Sequence, residues 1–580
     1  MIMAKALQKA YQEKGEDIEV PTIDEFPETD PERIPMMYRA QIGGRCSLQY
    51  ARDNTHLERW LKEWINPNPN THQPSHQIEL PPLGLDGHIY RFQSYPFFFR
   101  VISDCGQDSI IRPLINNKGI PFIPGSSIKG LFERLTRSQQ ISQELVAKVK
   151  EYCGSPDTQG SLRFHGAYPI GDWAGTFLKN SNSLTQNQSP CYRITDVVHP
   201  QQEKQVNGKF KTTAIASISL YQPTLIFELS SIYPLGLDEW KNIEGLLKRA
   251  LRQGLGGKTS TGYGLSGNPQ NQSSLWLLLE GNGVSSQLRN GVPEFRPNLF
   301  KATLRGHTRR LLSGVCQKEK TIKDNINSLF GSSKGSGNFQ IYWESKSLDD
   351  QQNHGKEKTQ IYQTKGILYL DAPPQEQKLL EWVVKFAYIM GGFGKSWRRV
   401  YHPLFKSNYK ERAIGCHWKC LDSEPELIIP KSVEELKTFL LDLHQFCQQY
   451  LKPDNSKSSP DKPDKEAWNP KRLSVYSQIV STSQAIDLFH DENFKTTPAI
   501  GGRKEGDKSP TSVSYVWHRM LPINGTQYLE IMTIFIGDDS PKNDPWVRMS
   551  KEGKETSQLI PFIKALENKG LKWTWGKKFS

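Results

Sequence analysis

The chain has 580 residues, a formal net charge of +13 at pH 7 and eight cysteines. This length exceeds one ordinary hydrophobic core, and the basic balance favours a polyanionic partner, nucleic acid first of all, over a basic surface kept only for solubility. Neither a membrane span nor the apolar core of a signal peptide is evident, and the scattered cysteines do not indicate a disulfide framework. We therefore expect a cytoplasmic protein.

Shifts in composition predict five segments along the chain. Two stretches alternate between strand-like and helix-like runs and are predicted as folded modules, while the stretches around them are rich in Pro, Gly or Ser. In chain order the segments are an N-terminal extension (1–87), a first module (88–267), a linker (268–297), a second module (298–405) and a C-terminal extension (406–580) with a mobile part at 452–470.

An internal repeat links the two modules. Gly154 and Gly160 precede an apolar stretch, and Gly331 and Gly337 do so at the same spacing of six residues. In both copies a second apolar run, an amphipathic helix and a glycine-rich loop with a lysine follow in the same order. Agreement of several markers in order indicates a duplicated unit.

With a strand and a helix ahead of these markers, each module has the order β-α-β-β-α-β. We therefore predict an α+β protein with two ferredoxin-like (RRM-like) modules in tandem, an arrangement whose sheet face binds RNA in recognition modules. The first strand and first helix of each module are predicted at Phe97–Ser103 and Ser126–Arg137, and at Leu299–Leu304 and His307–Ser313.

The glycine-rich loops are candidate phosphate contacts. They fail the P-loop pattern, because Arg252 and Ile389 stand where its first glycine is required, but glycines expose backbone N–H groups beside a lysine charge. A helix C-cap at Gly254 would not by itself require the other glycines. The predicted RNA-binding residues are Gly256, Gly257, Lys258 and Thr259 in the first loop, and Lys395, Arg398 and Arg399 in the second.

The start of the first module's helix is a second candidate contact. Pro124 and a glycine enter a turn, Ser126 or Ser127 can cap the helix, and the N-terminal amides with Lys129 form an anion site. An ordinary capped helix is the alternative interpretation. Arg134, on the same helix, is a further RNA-binding candidate.

Two motifs of the first module together resemble the RAMP superfamily, the backbone proteins of type III CRISPR complexes. They are Ile123-Pro-Gly-Ser-Ser-Ile-Lys-Gly-Leu131 and Gly254-Leu-Gly-Gly-Lys-Thr-Ser-Thr-Gly-Tyr-Gly264. The resemblance implies a double-module backbone subunit whose ferredoxin-like folds stack along a guide CRISPR RNA and contact target RNA. It also implies other RAMP-type and large subunits as partners.

The same resemblance implies a catalytic aspartate between the first strand and the first helix, assisting divalent-metal-dependent cleavage of target RNA. That stretch contains Asp104 and Asp108. We prefer Asp108 as the catalytic and Mg²⁺-binding residue, because a side chain at a loop centre reaches solvent more easily than one at a strand end. Arg112 would neutralise charge that develops on the phosphate. Turn-forming aspartates are the alternative interpretation.

No acidic residue separates the strand and helix predicted for the second module. We therefore predict that this module binds RNA without cutting it. Arg305, Arg309 and Arg310 suit a phosphate track along its helix, or else they form a solvated helix face.

An extra stretch between Cys191 and Lys211 is absent from the second module. Its size predicts a protruding hairpin of the thumb type. Asp196 and His199 within it are secondary catalytic candidates, although exposed turn residues are the favoured interpretation.

The C-terminal extension contains two weaker patterns. The set of Cys416, His417 and Cys420 with His444 and Cys447 has a spacing compatible with zinc, but a helical stripe explains Cys447 as a buried thiol, so no zinc is expected. The basic, aromatic tail at 569–578 suits base stacking, docking on a neighbouring subunit or a packing edge.

The leading functional hypothesis is a metal-dependent endoribonuclease activity of the first module within an assembled complex. A non-catalytic, structural RNA-binding subunit of the same complex is one alternative. A metal-independent nuclease that processes precursor guide RNA is the other.

Overall fold

A computed structural model describes most of the chain after residue 60, and its described residues form two compact units. The units are residues 1–250 with 255–257, and residues 251–254 with 258–580. No described helix is long and apolar enough to cross a membrane. The described residues are 61–80, 82–83, 86–97, 100–103, 105–107, 110–136, 142–175, 192–198, 215–259, 262–266, 275–287, 293–332, 337–354, 359–394, 400–406, 416–451, 466–500, 515–536, 544–549 and 555–579.

The first unit is built on a three-stranded antiparallel sheet with the strand order β1-β13-β9. Its elements in chain order are β1 (Ile89–Pro96), β2 (Arg100–Val101), β3 (Cys105–Gln107), β4 (Ile110–Arg112), β5 (Leu114–Ile115), β6 (Pro121–Phe122), α1 (Gly125–Leu135), α2 (Gln143–Cys153), β7 (Gly154–Ser155), β8 (Thr158–Gln159), β9 (Leu162–Ile170), β10 (Thr195–Val198), β11 (Ile215–Ile218), β12 (Leu220–Tyr221), β13 (Thr224–Ser231) and α3 (Leu237–Arg252).

One face of this sheet is covered by helices. Alternate residues of β13 (Leu225, Phe227 and Leu229) are fully buried, as the two-residue period of a strand requires for a half-covered sheet. Trp240 of α3 is buried and its ring stacks on Tyr90 of β1, with the ring centroids 5.3 Å apart. The amphipathic helix predicted from the sequence therefore packs on the sheet by its apolar side.

The second unit begins with a four-stranded antiparallel sheet in the order β17-β18-β14-β19. Two helices separate its first and second strands, and one helix separates its third and fourth. The elements are β14 (Leu275–Val284), β15 (Ser286–Gln287), β16 (Pro293–Glu294), α4 (Asn298–Ser313), α5 (Glu319–Phe330), β17 (Gln340–His354), β18 (Thr359–Asp371), α6 (Pro374–Phe386) continued by a π-helical turn (Ala387–Gly391), a 3₁₀ turn (His402–Leu404), β19 (His417–Glu424) and α7 (Val433–Tyr450).

The C-terminal part of the second unit contains another four-stranded antiparallel sheet, in the order β21-β22-β20-β25. Counted in chain order, its strands occupy the same 2-3-1-4 positions as those of the preceding sheet. The elements are β20 (Leu473–Val480), α8 (Ile486–His490), a 3₁₀ turn (Pro498–Ile500), β21 (Val516–Pro522), β22 (Tyr528–Phe535), β23 (Val547–Met549), β24 (Glu555–Ser557), α9 (Leu559–Asn568) and β25 (Lys572–Gly576).

Helices α4, α6 and α7 lie between these two sheets and share one core with both of them. Trp468, which precedes β20, is 1% exposed and lies within this core. Its ring centroid is 4.7 Å from that of Phe386 on α6 and 6.0 Å from that of Trp575 on β25. The C-terminal sheet is therefore buried on both faces, since α8 and α9 pack on its other side.

The structure gives the two glycine pairs of the predicted repeat a common physical role. Gly154 and Gly331 end α2 and α5 with φ of +82° and +79°, a conformation that glycine adopts without strain. Gly160 and Gly337 then lie against the ends of the same helices. A Cβ at Gly160 would be 2.4 Å from the Tyr152 oxygen, and a Cβ at Gly337 would be 2.2 Å from the Gly331 nitrogen. Each pair of glycines thus closes a helix and starts the next strand.

One of the predicted strands is wrong. Leu299–Leu304 lies in α4, where burial of Phe300, Leu304 and His307 follows helical spacing. The first strand of that sheet is β14, inside the stretch predicted as a linker, because its polar, glycine-rich flanks outweighed its short apolar run. In the first module β1 precedes the predicted strand Phe97–Ser103, whose described residues include the short strand β2 at Arg100–Val101.

The helix predicted at Ser126–Arg137 is confirmed as α1 to within two residues at each end. The sheet formed by β14, β17, β18 and β19 runs past both boundaries predicted for the second module, 298 and 405. The five predicted domain ranges otherwise remain predictions.

Candidate nucleic-acid interface

The first glycine-rich loop contacts the chain immediately after β2. Gly256 has a φ of +78°, and a Cβ there would lie 2.0 Å from the Ile102 carbonyl oxygen. The Gly257 N–H donates to the same carbonyl at 2.8 Å. Only glycine permits this approach of two backbones. The loop follows α3, whereas in the next sheet, formed by β14, β17, β18 and β19, the corresponding helix α6 is followed by the fourth strand, β19.

The predicted catalytic stretch and the predicted insertion belong to one sheet, with the strand order β10-β11-β4-β3. β3 and β4 form an antiparallel pair between Ile102 and the first helix, and β10 and β11 form an antiparallel pair within the insertion. Ser217 of β11 pairs with Ile111 of β4 and joins the two. The sequence suggested two separate catalytic candidates, whereas the structure brings their elements together.

The two candidate carboxylates themselves, Asp104 and Asp108, lie outside the described residues, as does His199. Asp196 belongs to β10 and Arg112 to β4, but their side chains lie outside the description as well. The predicted catalytic and metal-binding roles therefore remain predictions.

A pair of arginines around one tyrosine lies at the base of this sheet, and sequence reasoning missed it. Arg100 is fully buried, and its Nη1 donates to Ser219 Oγ at 2.8 Å. The guanidinium carbons of Arg100 and Arg193 lie 5.3 and 5.4 Å from the ring centroid of Tyr221, and Arg193 Nη1 donates to Tyr221 Oη at 3.0 Å. No sequence pattern signals this cluster, because its members come from three distant stretches.

This cluster has an electrostatic consequence for the neighbouring stretch. β2 carries Arg100 and pairs with β12, which carries Tyr221. Two buried guanidinium groups beside the β2–β12 pair, just ahead of β3 in the chain, raise the local positive potential.

Lys258 and Thr259 complete the first loop. Lys258 has a left-handed backbone (φ +56°), is exposed, and holds its Nζ 5.3 Å from the ring centroid of the buried Tyr263. Thr259 packs beside Gly254, where a Cβ would lie 2.5 Å from the threonine methyl group. The loop conformation thus presents one ordered lysine at the surface.

The start of α1 differs from the prediction. The N-cap is Pro124, and no side chain caps the helix, so neither Ser126 nor Ser127 has the predicted capping role; both are exposed in the first turn. The chain passes so close to β9 that a Cβ at Gly125 would lie 1.7 Å from the Phe164 oxygen. This packing fixes the backbone and leaves the serine side chains free to face solvent.

The remaining candidates on α1 have neighbours within the protein. Lys129 Nζ lies 3.7 Å from Glu133 one turn later, and both side chains are about half exposed, so the pair contributes little stability. Burial lowers the pKa of Arg134 from its usual value. α1 packs against β9 at one edge of the three-stranded sheet, whereas the glycine loop contacts the continuation of β1 at the other, so the structure does not bring the two motifs together.

The three arginines of α4 are held by protein partners. Arg305 donates to the Gly331 oxygen at 2.8 Å and to Asn327 Oδ1 at 3.0 Å, and so helps to close α5. Arg309 makes a bidentate pair with Glu319 at 2.9 and 2.8 Å.

Arg310 pairs with Glu466 and lies 5.3 Å from the ring centroid of Trp517, beneath the C-terminal sheet. Each of the three arginines of α4 therefore has an ion pair or hydrogen bonds within the protein. Phosphate contact by its three arginines remains an untested prediction.

The connection between strand and helix in the second module is also different from the prediction. It runs from β14 to α4 and contains the β15–β16 pair, with Glu294 at its end. We predicted that this module does not cut RNA because no acidic residue separates Leu299–Leu304 from His307–Ser313. Both of these segments lie inside α4, so that argument does not concern the connection between the strand and the helix. Its predicted RNA-binding residues Lys395, Arg398 and Arg399 lie outside the described residues.

Of the residues considered for zinc, Cys416, His417 and Cys447 are buried, whereas Cys420 and His444 are partly exposed. Burial raises the pKa of the Cys447 thiol to about 12 and lowers that of His417 to about 3. Among the residues that the structure describes, no three His, Cys, Asp or Glu side chains form a group that could hold a metal ion. The Mg²⁺ expected at Asp108 therefore remains a prediction about residues outside this set.

Comparison with known proteins identifies the first module. Residues 106–265 match the family model described as "RAMP superfamily", which confirms the resemblance carried by the two first-module motifs. No curated protein matches the chain.

Several solved structures are similar at low identity. Cmr1 from Pyrococcus furiosus is 14% identical, with 52% of this chain and 98% of that one covered and a TM-score of 0.35. Cmr6 from Pyrococcus furiosus is 16% identical (32% and 100% covered, TM-score 0.20). A chain of the type III-B Cmr-beta complex bound to cognate target RNA is 20% identical (31% and 57% covered, TM-score 0.23). At such TM-scores these likenesses carry no argument about function.

Proposed function

We propose that this chain, whose residues 106–265 form a RAMP superfamily domain, is an RNA-binding backbone subunit of a type III CRISPR effector complex. One observation carries the proposal. The glycine loop, the predicted catalytic stretch and the predicted insertion, three separate parts of the family-matched segment, meet around residues 102–112. A site assembled from three motifs suits a ligand that runs across them, such as a single RNA strand.

The repeated sheets support ferredoxin-like modules as the scaffold. Both sheets of the second unit are antiparallel with the chain-order positions 2-3-1-4, and the first sheet has the order 1-3-2 among its three strands. This is the β-α-β-β-α-β arrangement with a split β-α-β unit. On this proposal the C-terminal sheet would be a third such module beside the two predicted. Guide CRISPR RNA, target RNA and other RAMP-type and large subunits are the proposed partners, and the cytoplasm is the expected location.

In the proposed reaction the first module cleaves target RNA. Asp108, or Asp104 in its place, orients the 2′-hydroxyl next to the scissile phosphate, and Arg112 offsets the negative charge that develops on the phosphate. A divalent cation such as Mg²⁺, when bound there, would supply further charge neutralisation. The buried Arg100 and Arg193 strengthen the positive potential beneath this stretch.

The experiment is a target-RNA cleavage assay with the assembled complex, with and without Mg²⁺. Asp108→Ala and Asp104→Ala are compared with Asp157→Ala, which removes an exposed acidic turn residue of the same unit. We expect Asp108→Ala to abolish one Mg²⁺-dependent product while guide-dependent target binding persists, and Asp157→Ala to behave as the wild type.

Other outcomes would favour the alternatives. Unchanged cleavage in both the Asp104 and the Asp108 variants would indicate a structural subunit without catalytic activity. Cleavage of repeat RNA by the isolated chain without divalent ions would indicate a nuclease that processes guide RNA.

A further inference from the structure

A cluster of lysines surrounds a tryptophan at the C-terminal edge of the last sheet. β25 is the terminal strand of that sheet, and its Trp573 is half-buried. Lys437 Nζ of α7 and Lys578 Nζ lie 5.9 and 5.8 Å from the Trp573 ring centroid, so two ammonium groups are held by the same ring. We call Lys437, Lys572, Lys577 and Lys578, with Trp573, the C-terminal basic strip.

The charges of this strip have no ion-pair partner among the described residues. Lys572, Lys577 and Lys578 are exposed, and none of the four lysines makes an ion pair within the part of the chain that the structure describes. Other surface lysines of the same unit do so, as Lys406 does with Asp487 at 2.9 Å. Like charges gathered without counter-charges attract a polyanion.

The strip is also fixed in place. Trp575, two residues after Trp573, is 4% exposed and lies in the core, with its ring 6.0 Å from that of Trp468 and 5.9 Å from His444 of α7. This anchor sets the position of β25 against α7, and with it the separation of the strip's lysines. A preformed set of charges binds its ligand at a lower entropic cost than mobile ones.

Protection of a sheet edge is the simpler explanation for lysines on a terminal strand. It accounts for Lys572 but not for Lys437, which comes from a helix, nor for the two ammonium groups held at one tryptophan ring. A ring flanked by positive charges is the combination found where single strands of nucleic acid bind, with the charges on phosphates and the ring available to a base.

We propose that the C-terminal basic strip is a second RNA contact, which binds the phosphodiester backbone of a single-stranded segment without regard to its sequence. This proposal rests on the proposed function only for the identity of the polyanion. It assigns to the C-terminal module a contact at its edge, since both faces of its sheet are covered.

The test measures binding of a fluorescent 20-nucleotide oligouridine to the full-length chain by anisotropy over a range of salt concentrations. Lys577→Gln/Lys578→Gln is compared with Lys320→Gln/Lys323→Gln, which removes two exposed charges from α5. Losing two phosphate contacts should reduce the slope of log affinity against log salt by about 1.4, which corresponds to about 25-fold weaker binding at 0.1 M salt. The control pair should retain the wild-type slope. Trp573→Ala should weaken binding with a smaller change in slope.

The outcomes separate this proposal from the proposed function. If the wild type binds oligouridine and Lys577→Gln/Lys578→Gln binds it with the same affinity and slope, the strip is not an RNA contact, while the proposed function stands. If the wild-type chain and its assembled complex bind no RNA, both proposals fail. If polyglutamate binding depends on the strip and oligouridine binding does not, the ligand is an acidic protein segment and the RNA assignment is wrong.

Discussion

Replacing Gly256 with alanine perturbs the backbone contact between the glycine loop and Ile102, just after β2. The substitution forces an L-residue into a φ of +78°, which costs about 1–2 kcal/mol. The new Cβ would also lie 2.0 Å from the Ile102 oxygen, so one backbone must move by about 1 Å or more. This movement breaks the hydrogen bond from Gly257 to Ile102, worth about 1 kcal/mol. We expect a total loss of about 2–3 kcal/mol in the free energy of unfolding of the first unit.

Gly245→Ala is the matched control, because Gly245 lies in the middle of α3 with no atom within 4 Å of its would-be Cβ. Alanine is the better helix former there and should raise the free energy of unfolding by about 0.8–1 kcal/mol. The two glycine-to-alanine changes, only eleven positions apart, should therefore shift stability in opposite directions.

Native-state hydrogen exchange of α3 and of the 255–257 amides measures the change in stability of both variants. Anisotropy of fluorescent oligouridine measures the change in RNA binding. Gly256→Ala should weaken RNA binding, since the loop can no longer hold Lys258 in place, and Gly245→Ala should leave it unchanged. If the Gly257 amide of the Gly256→Ala protein is as well protected from exchange as it is in the wild type, the backbone contact does not depend on glycine and this prediction is wrong.

Three further predictions concern the folding of the modules. Trp468→Ala should lower the free energy of unfolding of the second unit by about 3–5 kcal/mol, measured by urea denaturation, because a large side chain is removed from the core between two sheets; loss of less than 1 kcal/mol would contradict that packing. Burial alone would raise the pKa of Glu530, but hydrogen bonds from His518, Ser483 and the backbone lower it to about 2. The ionised carboxylate should therefore contribute on the order of 3 kcal/mol to the free energy of unfolding above pH 4.5, and this contribution should be lost as the pH falls towards 2. Glu530→Gln should remove this pH dependence, and an unchanged acid limb in its unfolding curve would exclude the assignment. Gly125→Ala should prevent native packing of α1 on β9, whereas Gly130→Ala on the same helix should be tolerated, as read by circular dichroism and thermal unfolding.

The local parts of the fold were readable from the sequence. The glycine pairs that end α2 and α5 act within a few residues, and so do the helical stripes of α3 and α6, so their spacing alone identifies them. The strand β14 was not readable, because its ten residues lie between glycine- and asparagine-rich stretches and its pairing partners, β18 and β19, are about 80 and 140 residues away.

The candidate interface also has features that the sequence predicted and one that it did not. The residue types in the glycine loop and around Asp108 indicated phosphate chemistry from the sequence, because backbone N–H groups, a lysine and carboxylates have that chemistry wherever they lie. The cluster of Arg100, Arg193 and Tyr221 was not predictable, since nothing in their local patterns records that they meet.

From the sequence alone we could read that equally spaced glycine pairs recur in a basic chain, and that the first module has motifs that resemble the RAMP superfamily. Only the tertiary structure decided which of the basic side chains remain available. Arg305, Arg309 and Arg310 are engaged by partners from α5 and from the segment before β20, whereas the lysines around Trp573 make no ion pair among the described residues. The physical reason is that a charge's availability depends on the groups that folding places within a few ångströms of it, and those groups come from distant parts of the chain.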